Sequence, residues 1–192
     1  RGLAAKPALV ITDSQAVREV AAAVPEDIRL TTFSTLFARY KGDFAAQLAG
    51  AAAIDTLKDG DRVLIAEGCS HHVTCDDIGR VKIPNWMKKY TGRELKFEWT
   101  QGADFPDNLE DYALVVHCGG CMLNRAEVRR RINECARQGV KVTNYGIVIS
   151  KMQGVLERVV KGIADAGATG SVSATGSISD TGSISDTGEE GD

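Results

Sequence analysis

Short apolar runs alternate with stretches of helical periodicity over the first 163 residues. Six runs have the length and composition of β-strands, at residues 8–12, 28–33, 63–66, 95–99, 113–116 and 140–143. Six stretches repeat apolar residues at helical spacing, at residues 15–23, 34–40, 43–57, 84–90, 126–138 and 147–163. This alternation predicts an α/β fold with two small lobes, whose mainly parallel sheets are flanked by helices.

The pattern stops near residue 164. From there Gly, Ser, Thr and Asp dominate, and the hexapeptide Thr-Gly-Ser-Ile-Ser-Asp occurs twice in succession. Such a tract has too little apolar surface to offset the entropy lost on ordering. We therefore predict a disordered tail over residues 164–192.

Charge and hydropathy exclude several functional classes. The net charge of −3 gives no basic field for nucleic acid. Apolar runs are too short to span a bilayer, and the N-terminus lacks the layout of a signal peptide. Because the chain starts with Arg1 and enters a strand within a few residues, we expect a fragment whose preceding domain is absent.

Cysteines supply the candidate chemistry. Four of the five lie in two loops, each of which follows a predicted buried strand: Cys69 and Cys75 after residues 63–66, and Cys118 and Cys121 after residues 113–116. Because both loops leave strand ends, they can converge on one site. Cys135 falls on the apolar side of a predicted helix and is interpreted as a small buried hydrophobe.

The arrangement Cys69-x-His71, followed after a long gap by His117-Cys118-x-x-Cys121, leaves three chemistries open. A structural zinc site would use three cysteines and a histidine, although such sites usually stabilise modules with smaller cores. A dithiol oxidoreductase would use Cys118 and Cys121 alone and leave Cys69 and His71 unexplained. An iron–sulfur cluster with three thiolate ligands and an exchangeable fourth position uses the whole pattern.

The motifs resemble the HydF family, the maturation GTPases of [FeFe]-hydrogenase. The similarity covers roughly residues 7 to 163 and is carried by five stretches, namely the Cys69-x-His71 pattern and residues 36–43, 77–84, 117–125 and 143–146. It implies a dimerisation domain at residues 1–62 and a cluster-binding domain at 63–163. The chain has no G-x-x-x-x-G-K-[ST] phosphate loop, so we expect no GTPase domain and no enzymatic activity in it.

The resemblance also implies the site and its cargo. Cys69, Cys118 and Cys121 would ligate a [4Fe–4S] cluster. The fourth position is open to Asp76, His71, His117 or Cys75, or to an outside ligand. Cys75 departs from the family pattern, and a fourth thiolate there would make the site less exchangeable.

Carrier function is the role that the resemblance implies. The protein would hold a transient diiron precursor, which carries CO and cyanide, and transfer it to the immature [FeFe]-hydrogenase. Its partners would be a second copy of the chain, radical-SAM maturases and the hydrogenase. The compartment would be the cytoplasm or an organelle stroma. Basic residues could attract the anionic precursor: Arg80, Lys82, Lys88, Lys89 and Arg125.

Overall fold

The computed structural model describes residues 5–68 and 77–164. The strands are β1 (Leu9–Thr12), β2 (Arg29–Thr32), β3 (Arg62–Ala66), β4 (Lys96–Thr100), β5 (Leu114–His117) and β6 (Lys141–Asn144). The helices are α1 (Val17–Ala23), α2 (Phe33–Lys41), α3 (Phe44–Ala52), α4 (Ile83–Thr91), α5 (Arg125–Arg137), α6 (Tyr145–Met152) and α7 (Leu156–Ala164). A 3₁₀ turn follows α3 at Ala53–Thr56, and a π-helical turn precedes α4 at Ile78–Lys82.

The strands form two parallel sheets. β1 pairs with β2 in one sheet, and the other sheet has the order β4-β3-β5-β6. The prediction of an α/β fold with mainly parallel sheets flanked by helices is confirmed. The predicted tail lies, from residue 165 onward, outside the described residues.

The larger sheet is covered on both faces. Alternate side chains of β3 and β5 face opposite sides, as the pleat of a strand requires. One face buries Val63, Ile65, Leu114 and Val116 among residues of α4 and α6. The other buries Leu64, Ala66 and Val115 against α5, where Val128, Ile132 and Cys135 lie. These strands are therefore apolar throughout, which is why the sequence showed them as continuous apolar runs.

Two helices pack so closely on strands that a glycine is needed where the two backbones meet. A Cβ on Gly50 of α3 would lie 1.9 Å from the carbonyl oxygen of Val142 in β6. A Cβ on Gly162 of α7 would lie 2.1 Å from the carbonyl oxygen of Leu30 in β2. α7 thus returns to the N-terminal sheet. The proposed domain boundaries at residues 62 and 163 stay predictions.

The last predicted helix is the clearest error in the elements. Residues 147–163 form two helices, because Gly154 adopts φ 75° and ends the helical path after α6. Helix α6 begins at Tyr145, two residues before the predicted start. The Asn144 side chain accepts hydrogen bonds from the amides of Gly146 and Ile147 and so caps that helix.

Helix α2 also begins earlier than predicted. The Thr32 hydroxyl accepts a hydrogen bond from the Thr35 amide, so Thr32 is the N-cap. Among the described residues, no helix is both long enough and apolar enough to cross a membrane.

Candidate metal centre

The CGGC loop leaves the carboxyl end of the central strand β5. β5 pairs with β3 on one side and β6 on the other, and the ladder continues past its end, where the Cys118 amide donates to the Ala66 carbonyl at 2.8 Å. After the loop, α5 starts at Arg125, with the Asn124 side chain accepting a hydrogen bond from the Glu127 amide at 2.8 Å. Strand and helix therefore fix both ends of the loop.

Cys118 lies where the two predicted cysteine loops meet. Its Sγ accepts hydrogen bonds from the amides of Gly68 at 3.1 Å and Gly120 at 3.3 Å. Gly68 is two residues beyond the end of β3, and Cys69 follows it directly in the sequence. Amide donors on a sulfur stabilise negative charge there and are typical of thiolates that hold metal clusters.

Glycines permit this close approach. A Cβ on Gly68 would lie 2.7 Å from Cγ of Leu123, so a side chain would push the two loops apart. Gly120 adopts φ 64°, a left-handed conformation that other residues rarely take. The tight turn that results is closed by a hydrogen bond from the Leu123 amide to the Gly120 carbonyl at 3.1 Å.

The remaining described cysteines have contrasting environments. Cys121 is exposed, and its neighbour Met122 is 74% exposed. Cys135 is fully buried, and burial raises the pKa of its thiol to about 12. The prediction that Cys135 is a small buried hydrophobe is confirmed, whereas Cys121 is accessible from solvent.

His117 is buried at the base of the loop. Burial lowers the pKa of its imidazole to about 4, although its hydrogen bond to the Cys118 carbonyl acts in the opposite direction. The Nδ1 to Cys118 oxygen distance is 2.8 Å, which requires a proton on Nδ1 and leaves a lone pair on Nε2. Nε2 is buried and has no hydrogen-bond partner among the described residues.

A buried carboxylate that sequence reasoning missed lies beside the site. Glu67, between β3 and Gly68, is 1% exposed. Its carboxylate accepts hydrogen bonds from the Tyr145 hydroxyl at 3.3 Å and Gln101 Nε2 at 3.2 Å, and Arg80 Nε lies 4.0 Å away. These contacts hold the end of β3 against β4 and α6. The available signal was a charged residue at the end of an apolar run.

The basic residues do not form one patch. Lys82 donates to Gln15 Oε1 at 2.7 Å, and Lys88 pairs with Glu94 at 3.1 Å. Lys88 and Lys89 lie in the last turn of α4, near the amino ends of the strands, whereas Cys118 lies at the carboxyl ends. Arg125 opens α5 beside the CGGC loop, and Arg80 lies near Glu67.

The other predicted site residues lie outside the described residues: Cys69, His71, Cys75 and Asp76. Within residues 5–68 and 77–164, no three His, Cys, Asp or Glu side chains come together as a metal site. The described part of the candidate centre therefore consists of Cys118, Cys121, the buried His117 and the backbone around them.

The fold and the loop define an α/β protein that presents thiols at the carboxyl edge of a parallel sheet. Residues 45–162 match the family model of the hydrogen maturase F tetramerization domain, and residues 1–42 match that of the hydrogen maturase F dimerization domain. The chain belongs to the hydrogen maturase F family, as the resemblance predicted. Both matched domains are named for self-association, and membership connects the chain with hydrogenase maturation. None of the curated proteins compared matched the chain.

Proposed function

We propose that the chain is an iron–sulfur scaffold that binds a [4Fe–4S] cluster through Cys69, Cys118 and Cys121. In this role it holds the diiron precursor of the [FeFe]-hydrogenase active site, with its CO and cyanide ligands, and passes it to the immature hydrogenase. The observation that carries the proposal is the hydrogen bond from the Gly68 amide to Cys118 Sγ, at 3.1 Å. It joins the two cysteine loops within a family that takes part in hydrogenase maturation.

The residues present fit a cluster. The two amides on Cys118 Sγ offset negative charge, and the exposed Cys121 thiol leaves room beside it. When bound, such a cluster supplies one iron position that is not held by a cysteine and can accept an outside ligand. Asp76, His71, His117 and Cys75 stay the candidates for that position.

Besides being a candidate for the fourth position, His117 can act as a support for Cys118. Its Nδ1 donates to the Cys118 carbonyl and thereby orients the peptide that carries the ligand. Partners of this kind are typical around metal ligands. We infer that His117 holds the Cys118 peptide in place through this hydrogen bond.

The proposed carrier role also agrees with the two matched domains, both of which are named for self-association. The proposed partners are a second copy of the chain, radical-SAM maturases that build the precursor, and the immature hydrogenase. The proposed compartment is the cytoplasm or an organelle stroma. The chain would bind and release its cargo, and nucleotide hydrolysis would belong to a separate GTPase domain.

Anaerobic reconstitution with iron and sulfide tests the proposal. We expect thiolate-to-iron charge-transfer absorption and, after reduction, an EPR signal of a [4Fe–4S] cluster. Cys118→Ser should abolish iron binding, because it removes a ligand at the point where the loops meet. Cys135→Ala is the matched control, since Cys135 is buried on the inner face of α5, and it should bind iron as the wild type does.

The alternatives give different results. Equal iron content in the two variants would refute the ligand assignment. A colourless protein that retains zinc would identify a zinc-stabilised module. A protein that binds neither metal but forms a reversible disulfide between Cys118 and Cys121 would identify a thiol oxidoreductase.

A further inference from the structure

Lys41 reaches the CGGC loop from a different part of the chain. It is the last residue of α2, and its Nζ donates to the carbonyl oxygens of Gly120 at 2.9 Å, Cys121 at 3.1 Å and Leu123 at 2.7 Å. The ammonium also lies 4.8 Å from the centre of the Phe37 ring, one turn earlier in α2. All three of its N–H donors can therefore be used on one loop.

These contacts fix the orientation of the loop. In a planar trans peptide, the carbonyl and the following N–H point in opposite directions. Since the carbonyls of Gly120 and Cys121 face Lys41, the amides of Cys121 and Met122 face away from it. Together with the Gly120 amide on Cys118 Sγ, this arrangement gives the loop one carbonyl side and one amide side.

We propose that Lys41 is the positioning residue for Cys121. Its ammonium holds the carbonyls of the loop on one side, so that the amides are available to negative charge on the other. The effect of Lys41 on a bound cluster rests on the proposed function. Its effect on the conformation of the loop can be measured in the metal-free protein.

The contact links the two family domains. Lys41 lies in the dimerization match at residues 1–42, and the loop lies in the tetramerization match at residues 45–162. The ligand loop is thus ordered by a residue from the neighbouring domain. Changes that move α2 would reach the CGGC loop through the Lys41 side chain.

Three variants test the role of Lys41. Lys41→Met keeps the length and apolar stem but removes the donors, whereas Lys41→Arg keeps the charge and restores donors in a different geometry. Arg39→Met is the matched control, because Arg39 lies in the same turn of α2, carries the same charge and is exposed. Thermal unfolding of each variant verifies that the fold is intact.

Hydrogen exchange of the metal-free protein is the first measurement. In Lys41→Met, the exchange of the Gly120 and Leu123 amides, which are hydrogen-bonded within the loop, should rise about tenfold, because the Lys41 hydrogen bonds that order the loop are lost. The exchange rate in Lys41→Arg should lie between those of Lys41→Met and the wild type, and the rate in Arg39→Met should equal that of the wild type. Unchanged exchange in Lys41→Met would overturn the inference.

Iron release is the second measurement. After reconstitution, Lys41→Met should lose iron to a chelator about tenfold faster than the wild type and Arg39→Met. Its reduction potential should become more negative, because a nearby positive charge is removed, and Lys41→Arg should restore it. Faster exchange with unaltered iron release and potential would overturn the positioning role. A wild type that binds no iron would refute the scaffold function, while the exchange data would still decide whether Lys41 orders the loop.

Discussion

The three described cysteines differ through their surroundings alone. Cys118 accepts hydrogen bonds from two backbone amides, and Cys121 is exposed at a turn. Cys135 is buried in an apolar cluster, and burial raises the pKa of its thiol to about 12. Desolvation suppresses the thiolate at Cys135, which removes it from metal or redox chemistry at neutral pH. The same residue type is thus a ligand candidate twice and a core residue once.

Glu127 gives a pH-dependent prediction at a single residue. Its carboxylate accepts hydrogen bonds from Arg130, at 2.8 Å for both contacts, and from the buried Arg131 at 2.7 Å. The hydrogen bond from Arg130 is the main reason that the pKa of Glu127 is lowered to about 2. Because the charged form is favoured in the fold, its stabilisation is present above about pH 4.5 and is lost as the pH falls towards 2.

Glu127→Gln should therefore lower the free energy of unfolding by about 2 kcal/mol at pH 7, partly because Arg131 loses its partner. Urea unfolding between pH 7 and pH 3 should show this difference shrinking below about pH 4.5. Glu110→Gln removes the same charge from an exposed turn and serves as the control. Stability curves for Glu127→Gln and wild type that stay parallel over the whole range would contradict the prediction.

Local patterns in the sequence predicted the CGGC loop between a strand and a helix, but they did not show the long-range contacts of that loop. The spacing of Cys118, two glycines and Cys121 between an apolar run and a helical stretch predicted the loop correctly. Lys41 is 79 residues away from Gly120, and no short pattern connects them. Glu67 likewise acquires its role from Tyr145, which is 78 residues later.

At the scale of elements, α3 is packed against β6 without room for a side chain at Gly50. Gly50→Ala would gain about 1 kcal/mol from helix propensity. A Cβ 1.9 Å from the Val142 carbonyl oxygen must nevertheless displace backbone rather than a flexible side chain. We expect overpacking to prevail and to lower the free energy of unfolding by about 2 kcal/mol or more.

Chemical denaturation measures this loss. Ala49→Gly is the reverse substitution at an exposed neighbouring position of α3, and it should lower the free energy of unfolding by only about 1 kcal/mol. A Gly50→Ala protein as stable as the wild type would mean that α3 can move away from β6 without cost.

Elements with strong periodicity were predictable, and their ends were not. Strands β3 and β5 of the larger sheet were found because they are buried on both faces. The break at Gly154 was missed because the apolar spacing continues through it, while the backbone at φ 75° leaves the helix. The π-helical turn at Ile78–Lys82 depends on Asp77, whose side chain accepts hydrogen bonds from the amides of Gly79 and Arg80. Apolar periodicity does not reveal such a turn.

At the scale of the whole molecule, the dimerization match contains exposed apolar side chains. Ile11 is 40% exposed, Phe33 56% and Tyr40 71%, all within residues 1–42. Arg158 of α7 donates to the carbonyls of Val24 and Pro25 and so ties the C-terminal helix to this region. Exposed aromatic and aliphatic groups on a domain named for dimerization are the first candidates for the contact between copies.

Phe33→Ser and Ile11→Thr should each raise the dissociation constant of the dimer about tenfold, since both remove apolar area from the contact that we expect between copies. Sedimentation equilibrium over a range of concentrations measures this shift. Met122→Ser is the control, because Met122 is also an exposed apolar side chain but lies at the CGGC loop, outside the dimerization match. If Met122→Ser weakens the dimer while the other two do not, the copies meet at the candidate metal centre, and cargo exchange would then require the dimer to open.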